Sequence, residues 1–251
     1  FPVSGPVSRA WRTILAVAAN KVNAKRLLAE AGIPVPKLLA VLEDRVQLRR
    51  FDWQLPEDFA LKPAGGGRGC GIVVARRREG SIWYGFGPRP LTRDALFRHI
   101  VEILSGEFSR EGRSDLAFFE QRLASSRDLT GGAAVGLPDV RVIVHEGRAV
   151  MAMTRIPTLA SEGKANLHQG AVGVGIDLAT GETRHAVHEG QSCTAHPDTG
   201  HVLVGRIVPD WKTILEIALA SARVSGLGYT GIDLVVDDTL GPAVLEINAR
   251  P

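Results

Sequence analysis

The sequence is poor in cysteine, long apolar runs, aromatics and lysine, and each shortage excludes something. Two cysteines in 251 residues, Cys70 and Cys193, cannot build a disulfide framework, and a reducing, cytoplasmic location is expected. No apolar run exceeds six residues, Ile14 to Ala19, far short of the roughly 20 a membrane-crossing helix needs, so no membrane span is expected. Aromatics are only 6 %, without the basic aromatic face that nucleic-acid binding calls for, and no nucleic-acid partner is expected. No charged, apolar and cleavage-site succession opens the chain. It begins at Phe1, not Met, and reads as an internal fragment. Lysine is the rarest of the charged types: 6 of the 30 basic residues, the other 24 being arginine. A lysine in a glycine-rich setting therefore stands out. What remains is ordinary for a globular protein, with 45 % apolar and 23 % charged residues and a net charge of +3, which excludes disorder, collagen and coiled coil.

Periodicity predicts a helix over 9–31, stopped by Gly32 and Pro34. Strands are expected at 38–42, 59–62, 71–76, 116–123 and 172–178, and helices at 94–104 and 211–225. Val140–His145 and Ala149–Arg155 read as a hairpin across Glu146-Gly147. The apolar runs 231–236 and 243–247 read as two more strands, and 156–171 as a polar loop. Most neighbouring strands could pair antiparallel, which predicts α+β layers and not a doubly wound parallel sheet.

Two features carry chemistry. Between the strands ending at Lys62 and starting at Gly71 lies Pro63-Ala64-Gly65-Gly66-Gly67-Arg68-Gly69-Cys70. Such a loop can bring backbone N–H groups close to a phosphate. It lacks the Gly-Lys-Ser/Thr ending of a P-loop, and no helix follows as a dinucleotide fingerprint requires. It is either a phosphate flap with Lys62 at its base or a plain surface hairpin. The second feature is acidic: Asp233 interrupts Ile232 and Leu234, and Glu246 interrupts Leu245 and Ile247. Strand alternation sends Glu246 and Asn248 to one face, and pairing across 237–242 would bring Asp233 beside them. Three hard oxygen donors suit Mg²⁺ completed by phosphates and water; the alternative is a salt-bridged sheet surface.

The ordered set of Lys62-Pro63 with its glycine loop, Asp139-x-Arg141, Asp233 and Glu246-x-Asn248 resembles the ATP-grasp superfamily. Met151–Thr158 and Gly163–Ala171 sharpen the resemblance to the alpha-L-glutamate ligase-like proteins, over about residues 9 to 251. It implies an ATP-grasp fold, two α+β lobes with nucleotide held between antiparallel sheets: an N-terminal helical segment (1–36), a first lobe with the glycine loop (37–122) and a second lobe with the Mg²⁺ and phosphate site (123–251). It also implies an ATP- and Mg²⁺-dependent carboxylate–amine ligase working through an acylphosphate. Its partners would be an amino-acid or peptide carboxylate and an amine acceptor. Lys21 and Lys62 would contact ATP phosphates, under the loop residues Gly65, Gly66, Gly67, Arg68 and Gly69. Glu120, Gln121, Arg122 and Leu123 match the hinge that holds adenine, and Asp128 would hold ribose. Arg141 and Arg155, with Lys62, would serve the transferring phosphoryl group, a task suited to guanidinium. Asp233, Glu246 and Asn248 would ligate Mg²⁺. Lys164, Asn166, His168, Gln169 and Arg250 would face substrate, His168 either accepting the amine's proton or positioning it.

The family continues with Gly and a further segment where this chain ends at Pro251, so completion of the site by later residues is left open. The alternative to a ligase is a nucleotide-binding ATP-grasp module without independent activity. His185, His188, Cys193, His196 and His201 match no familiar zinc spacing and read as a polar loop. Arg76-Arg77-Arg78 reads as a solvated turn or, alternatively, a contact for a polyanion. Neither oligomeric state nor the identity of the two substrates is legible.

Overall fold

The structure is a computed structural model that describes residues 20–67, 69–86, 89–109, 112–124 and 136–251. Two compact units form: one from the described residues up to Val35 together with 136–251, the other from Pro36–Ala124. Among the described residues the layers are mixed α+β and the strand pairs are antiparallel, as expected from the sequence.

The first unit opens with helix α1 (Lys21–Glu30). The Asn20 side chain caps it by accepting the N–H groups of Val22 and Asn23 at 3.0 and 3.1 Å. Gly32, at φ +73°, ends it. Of the helix expected from residue 9, positions 9–19 lie outside the described residues.

The Pro36–Ala124 unit supplies the next elements in the chain. Strand β1 (Leu38–Leu42) and the five-residue helix α2 (Arg45–Arg49) precede β2 (Phe59–Pro63), β3 (Val73–Ala75), β4 (Arg77–Glu79), β5 (Ile82–Tyr84) and β6 (Pro90–Leu91). Helix α3 (Arg93–Leu104) and β7 (Ala117–Glu120) complete it. The sheets run β1-β7-β2-β3 and β4-β5-β6. Phe59 and Leu61 of β2 and Phe119 of β7 point into a core with Leu96, Ile100 and Ile103 of α3. Alternation therefore sends Lys62 and Glu120 to the opposite face.

The remainder of the first unit is a seven-stranded sheet, β12-β11-β10-β9-β8-β13-β14. Its strands are β8 (Asp139–His145), β9 (Arg148–Ile156), β10 (Val172–Ile176), β11 (Thr183–His188), β12 (Gln191–Cys193), β13 (Tyr229–Asp237) and β14 (Gly241–Asn248), with helix α4 (Trp211–Ser225) before β13. Glu146 and Gly147, at φ +46° and +76°, turn the β8–β9 hairpin. One face carries Val140, Val142, Val144, Ile232, Leu234 and Ile247 against Ile214, Ala218 and Ala222 of α4 and Leu28 of α1. The alternate residues form the opposite, polar face.

A β-bulge sets the phase of β14. Asp233 pairs with Glu246, but Leu234 pairs with Val244, leaving Leu245 extra. Without that residue out of step, Val244 and Glu246 would share a face; with it, Val244 enters the core and Glu246 joins the polar face. The carbonyl of Leu245 accepts from the buried Lys25 Nζ at 3.3 Å.

Candidate active site

On the polar face of β8, β9, β13 and β14, register alone assembles a charged row. Asp139 stands opposite Arg155, Arg141 opposite Asp233, and Asp233 opposite Glu246. Arg141 grips Asp233 with both arms of its fork, Nε to Oδ1 and Nη2 to Oδ2, each at 2.7 Å. Arg155 Nη2 donates to Asp233 Oδ2 at 2.9 Å, and its Nε donates to Asp139 Oδ1 at 2.7 Å. Asn248 Nδ2 donates to Asp233 Oδ2 at 3.0 Å. Asp233 is thus the hub of two guanidinia and one amide, 3 % exposed, in a setting where fork geometry fixes direction as well as attraction.

The two buried carboxylates divide in protonation. Burial works against ionising Asp233, yet the Arg141 hydrogen bond and the charges of Arg155 and Arg141 hold it below the usual carboxylate range. Asp139 goes the other way: burial, then the charge of Asp233, push it up to about 7 despite Arg155. Burial opposes the charge on Arg155, but Asp233 and Asp139 together raise its pKa, so it stays cationic.

Glu246 is half-buried, with Lys21 Nζ at 3.6 Å. Among the described residues no three His, Cys, Asp or Glu side chains are grouped to hold a metal. The donors available are Asp233, Glu246 and Asn248, two carboxylates and an amide on one face. That set is incomplete for a closed all-protein cage but fits Mg²⁺, which keeps waters and takes one or two carboxylates with phosphate oxygens.

In the other unit, Lys62 forms an ion pair with Glu120, which is 1 % exposed. The Gln121 N–H donates to the Lys37 carbonyl at 2.9 Å, Arg122 pairs with Asp58 at 2.8 Å, and Leu123 is buried. In the glycine loop, the Gly65 N–H donates to both oxygens of the buried Asp115, at 2.8 and 2.9 Å. Gly66 bridges to Ser109, and Cys70 N–H closes on the Gly67 carbonyl at 3.1 Å. Gly69 takes φ +73°. Arg68 and Asp128 lie outside the described residues.

The 156–171 segment is a braced loop. Thr158 Oγ1 donates to the Gly170 carbonyl at 2.7 Å. His188 Nε2 meets that same carbonyl at 3.1 Å, and the buried His196 Nε2 meets the Pro157 carbonyl at 2.9 Å. Leu159 N–H donates to Asp198 at 2.7 Å. Two members of the histidine cluster are therefore props for this loop. On it, Lys164 pairs with Glu162 at 3.2 Å. Asn166 caps the short 3₁₀ turn Leu167–Gln169 by accepting the His168 N–H, and the His168 ring is exposed. Gln169 Oε1 is buried with no hydrogen-bond partner among the described residues. Arg250 is exposed beyond β14.

Asp139, Asp115 and Lys25 were not assigned roles from the sequence. Asp139 was detectable, two residues before Arg141 and so on its face of a strand. Asp115 and Lys25 were not, because their partners lie 50 and 220 positions away.

The antiparallel sheets, the lysine-based glycine loop and the carboxylate–guanidinium row define an ATP-grasp fold. The chain belongs to the sugar-transfer associated ATP-grasp family, whose model matches residues 10–251. It is similar to the probable alpha-L-glutamate ligase of Xanthomonas oryzae pv. oryzae, 26 % identical over 238 residues, 93 % of this chain. The chain spans 57 % of that curated relative's length. Among solved structures it is similar to an L-amino acid ligase from Bacillus licheniformis, at TM-score 0.52 and 12 % identity, covering 95 % of this chain and 42 % of that one. It is also similar to a D-alanine–D-alanine ligase from Bacillus anthracis complexed with ATP, at TM-score 0.50 and 15 % identity, covering 95 % and 57 %.

Proposed function

We propose that this chain carries out ATP- and Mg²⁺-dependent ligation of a carboxylate to an amine, in the manner of the glutamate ligase it resembles. The observation that carries the reading is the pair of guanidinia, Arg141 and Arg155, held in fixed orientation by Asp233 and Asp139 beside Glu246. Charge that spreads over phosphoryl oxygens is stabilised best by donors that need no rearrangement when it develops.

In this reading a substrate carboxylate oxygen bonds to the γ-phosphorus of ATP as the bond to the bridging oxygen breaks, giving an acylphosphate and ADP. The amine nitrogen then bonds to the acyl carbon, phosphate leaves with the bonding pair, and one proton passes to solvent or to His168. Arg141 and Arg155 hold the transferring oxygens. Lys62, Lys21 and the glycine loop from Gly65 to Gly69 hold the nucleotide phosphates, the Gly65 N–H itself being taken by Asp115, with Glu120–Leu123 holding the adenine and Asp128 the ribose. Asp233, Glu246 and Asn248 would hold Mg²⁺, which when bound neutralises phosphate charge. Lys164, Asn166, His168, Gln169 and Arg250 are assigned to the substrates; His188 and His196 brace the two ends of the loop that carries the first four, at Gly170 and Pro157. The substrates are an amino acid or peptide carboxylate and an amine; the family's association with sugar transfer adds glycan-borne amines to the acceptors worth testing. The free cysteines suit the reducing cytoplasm.

The test is mass spectrometry of products, with parallel ADP detection, from pooled amino acids and amine acceptors supplied with Mg-ATP. A new amide whose formation tracks ADP release is the expected result. Thermal stabilisation by Mg-ATP without ADP or product would replace the ligase with a nucleotide-binding module.

A further inference from the structure

A groove of about 540 Å³ opens in the Pro36–Ala124 unit, between the segment before β2, the β4–β5 hairpin and the first turn of α3. None of its residues belongs to the proposed ligase machinery. Two tryptophans are among its lining residues, Trp53 half-buried and Trp83 only 2 % exposed. Trp53 is fixed edge-on by Phe51 at 5.2 Å between ring centres, and Trp83 by its Nε1–H donated to the Pro56 carbonyl at 2.9 Å. Two guanidinia lie over these rings, Arg78 4.6 Å from the Trp83 centroid and Arg93 5.5 Å from that of Trp53. Arg78 is oriented further by donating to the carbonyls of Gly80 and Leu55 at 2.7 and 3.1 Å. Stacking and hydrogen bonding thus set these donors before any ligand arrives, which lowers the ordering entropy of binding.

Opposite charges line the same groove without neutralising each other. Asp52 and Asp94 are exposed, and neither forms an ion pair among the described residues. Asp94 alone would be explained by its place in the first turn of α3; that does not account for Asp52 or for the stacked arginines. An anionic ligand would meet two carboxylates, and a cationic one two guanidinia. A neutral polyol answers both, because its hydroxyls donate to carboxylates and accept from guanidinium, while its C–H face packs beside the half-buried Trp53. The volume falls within the range of small-molecule sites.

We propose that this groove is a binding site for a neutral saccharide, a function separate from the nucleotide-dependent reaction and independent of it. The full chain, without nucleotide, is titrated with cellobiose, maltose and chitobiose by saturation-transfer NMR and tryptophan fluorescence, up to about 50 mM, enough to saturate a site with a millimolar Kd. Inorganic phosphate and glycerol are titrated alongside. The expected result is saturable binding of at least one disaccharide, weakened about tenfold or more in Asp94→Asn and in Arg93→Ala. Both positions are exposed, and an unchanged melting temperature shows that the variants fold. The proposal is overturned if no disaccharide saturates, if phosphate alone binds, if glycerol matches the disaccharides, or if both variants bind as the parent does. Because no nucleotide is present, failure here leaves the ligase reading untouched, and failure of that reading leaves this one standing.

Discussion

Asp233 concentrates the chemistry of the polar face on one side chain. It accepts from Arg141, Arg155 and Asn248 at once. Removing it leaves two largely buried guanidinia without their shared acceptor, a situation worse than never having had the pair. Asp233→Ala should therefore lower unfolding free energy by about 3 kcal/mol in urea titration and abolish ADP release. Asp139 makes a pH prediction. Its folded pKa of about 7 lies above the ordinary 3.8, so between those values the folded state binds more protons than the unfolded chain. The stability it contributes is complete below about pH 4 and is lost as pH rises through 7. The difference in unfolding free energy between the parent and Asp139→Asn should change by roughly one kcal/mol per pH unit at its steepest within that window. A flat difference would show that Arg155 keeps Asp139 ionised throughout. Such residues are only partly readable in a sequence: Glu246 and Asn248 share a face by alternation alone, whereas the charge hub needs the β8–β13 register, which joins positions 92 apart.

At the scale of elements, legibility followed local signals. The β8–β9 hairpin shows itself through Glu146-Gly147, and α4 through its apolar periodicity and the Gly226 stop. Helix α2 is five residues long, and strands β4, β5 and β6 have two or three residues each, too short for any period to register; β4 is wholly arginine and glutamate. The bulge at Leu245 is likewise invisible, because it answers to the partner strand. The glycine loop is the element whose behaviour is best tested. Its Gly65 N–H is committed to the buried Asp115, and an unmade bond at such a site costs about 1–3 kcal/mol. Asp115→Ala should raise hydrogen exchange at Gly65 well above the parent while β2, measured at Leu61, stays protected. Equal exchange at both would mean that Asp115 supports the whole unit. Gly71→Ala should be harsher on the fold, since a Cβ there would sit 2.6 Å from the Phe108 ring in a left-handed backbone conformation, φ +72°; about 2 kcal/mol or more of destabilisation is expected in urea titration.

At the scale of the whole molecule, the question is whether acidic and basic residues placed on a sheet face act as a ligand site for Mg-nucleotide. Linkage gives a direct measure, because a ligand that binds only the folded chain stabilises it by about 2.7 kcal/mol at a hundred times its Kd. For a chain of this length each kcal/mol moves the melting temperature by about 2–4 °C, so saturating Mg-ATP should raise it by about 5–10 °C. Glu246 is the informative position. It is half-buried and directly opposite Asp233, yet it is not among the donors and acceptors of the arginine hub. Glu246→Gln should therefore leave the melting temperature without ligand nearly unchanged and remove most of the Mg²⁺-dependent part of the rise, with a smaller effect on whatever stabilisation ATP gives in the presence of a chelator. If Glu246→Gln keeps the full Mg²⁺-dependent rise, the cation is held elsewhere and the polar face of the sheet serves the arginines alone. If the parent shows no rise, the family's nucleotide site is not functional in this chain, and the row of Asp139, Arg155, Asp233 and Arg141 is a structural ion-pair network.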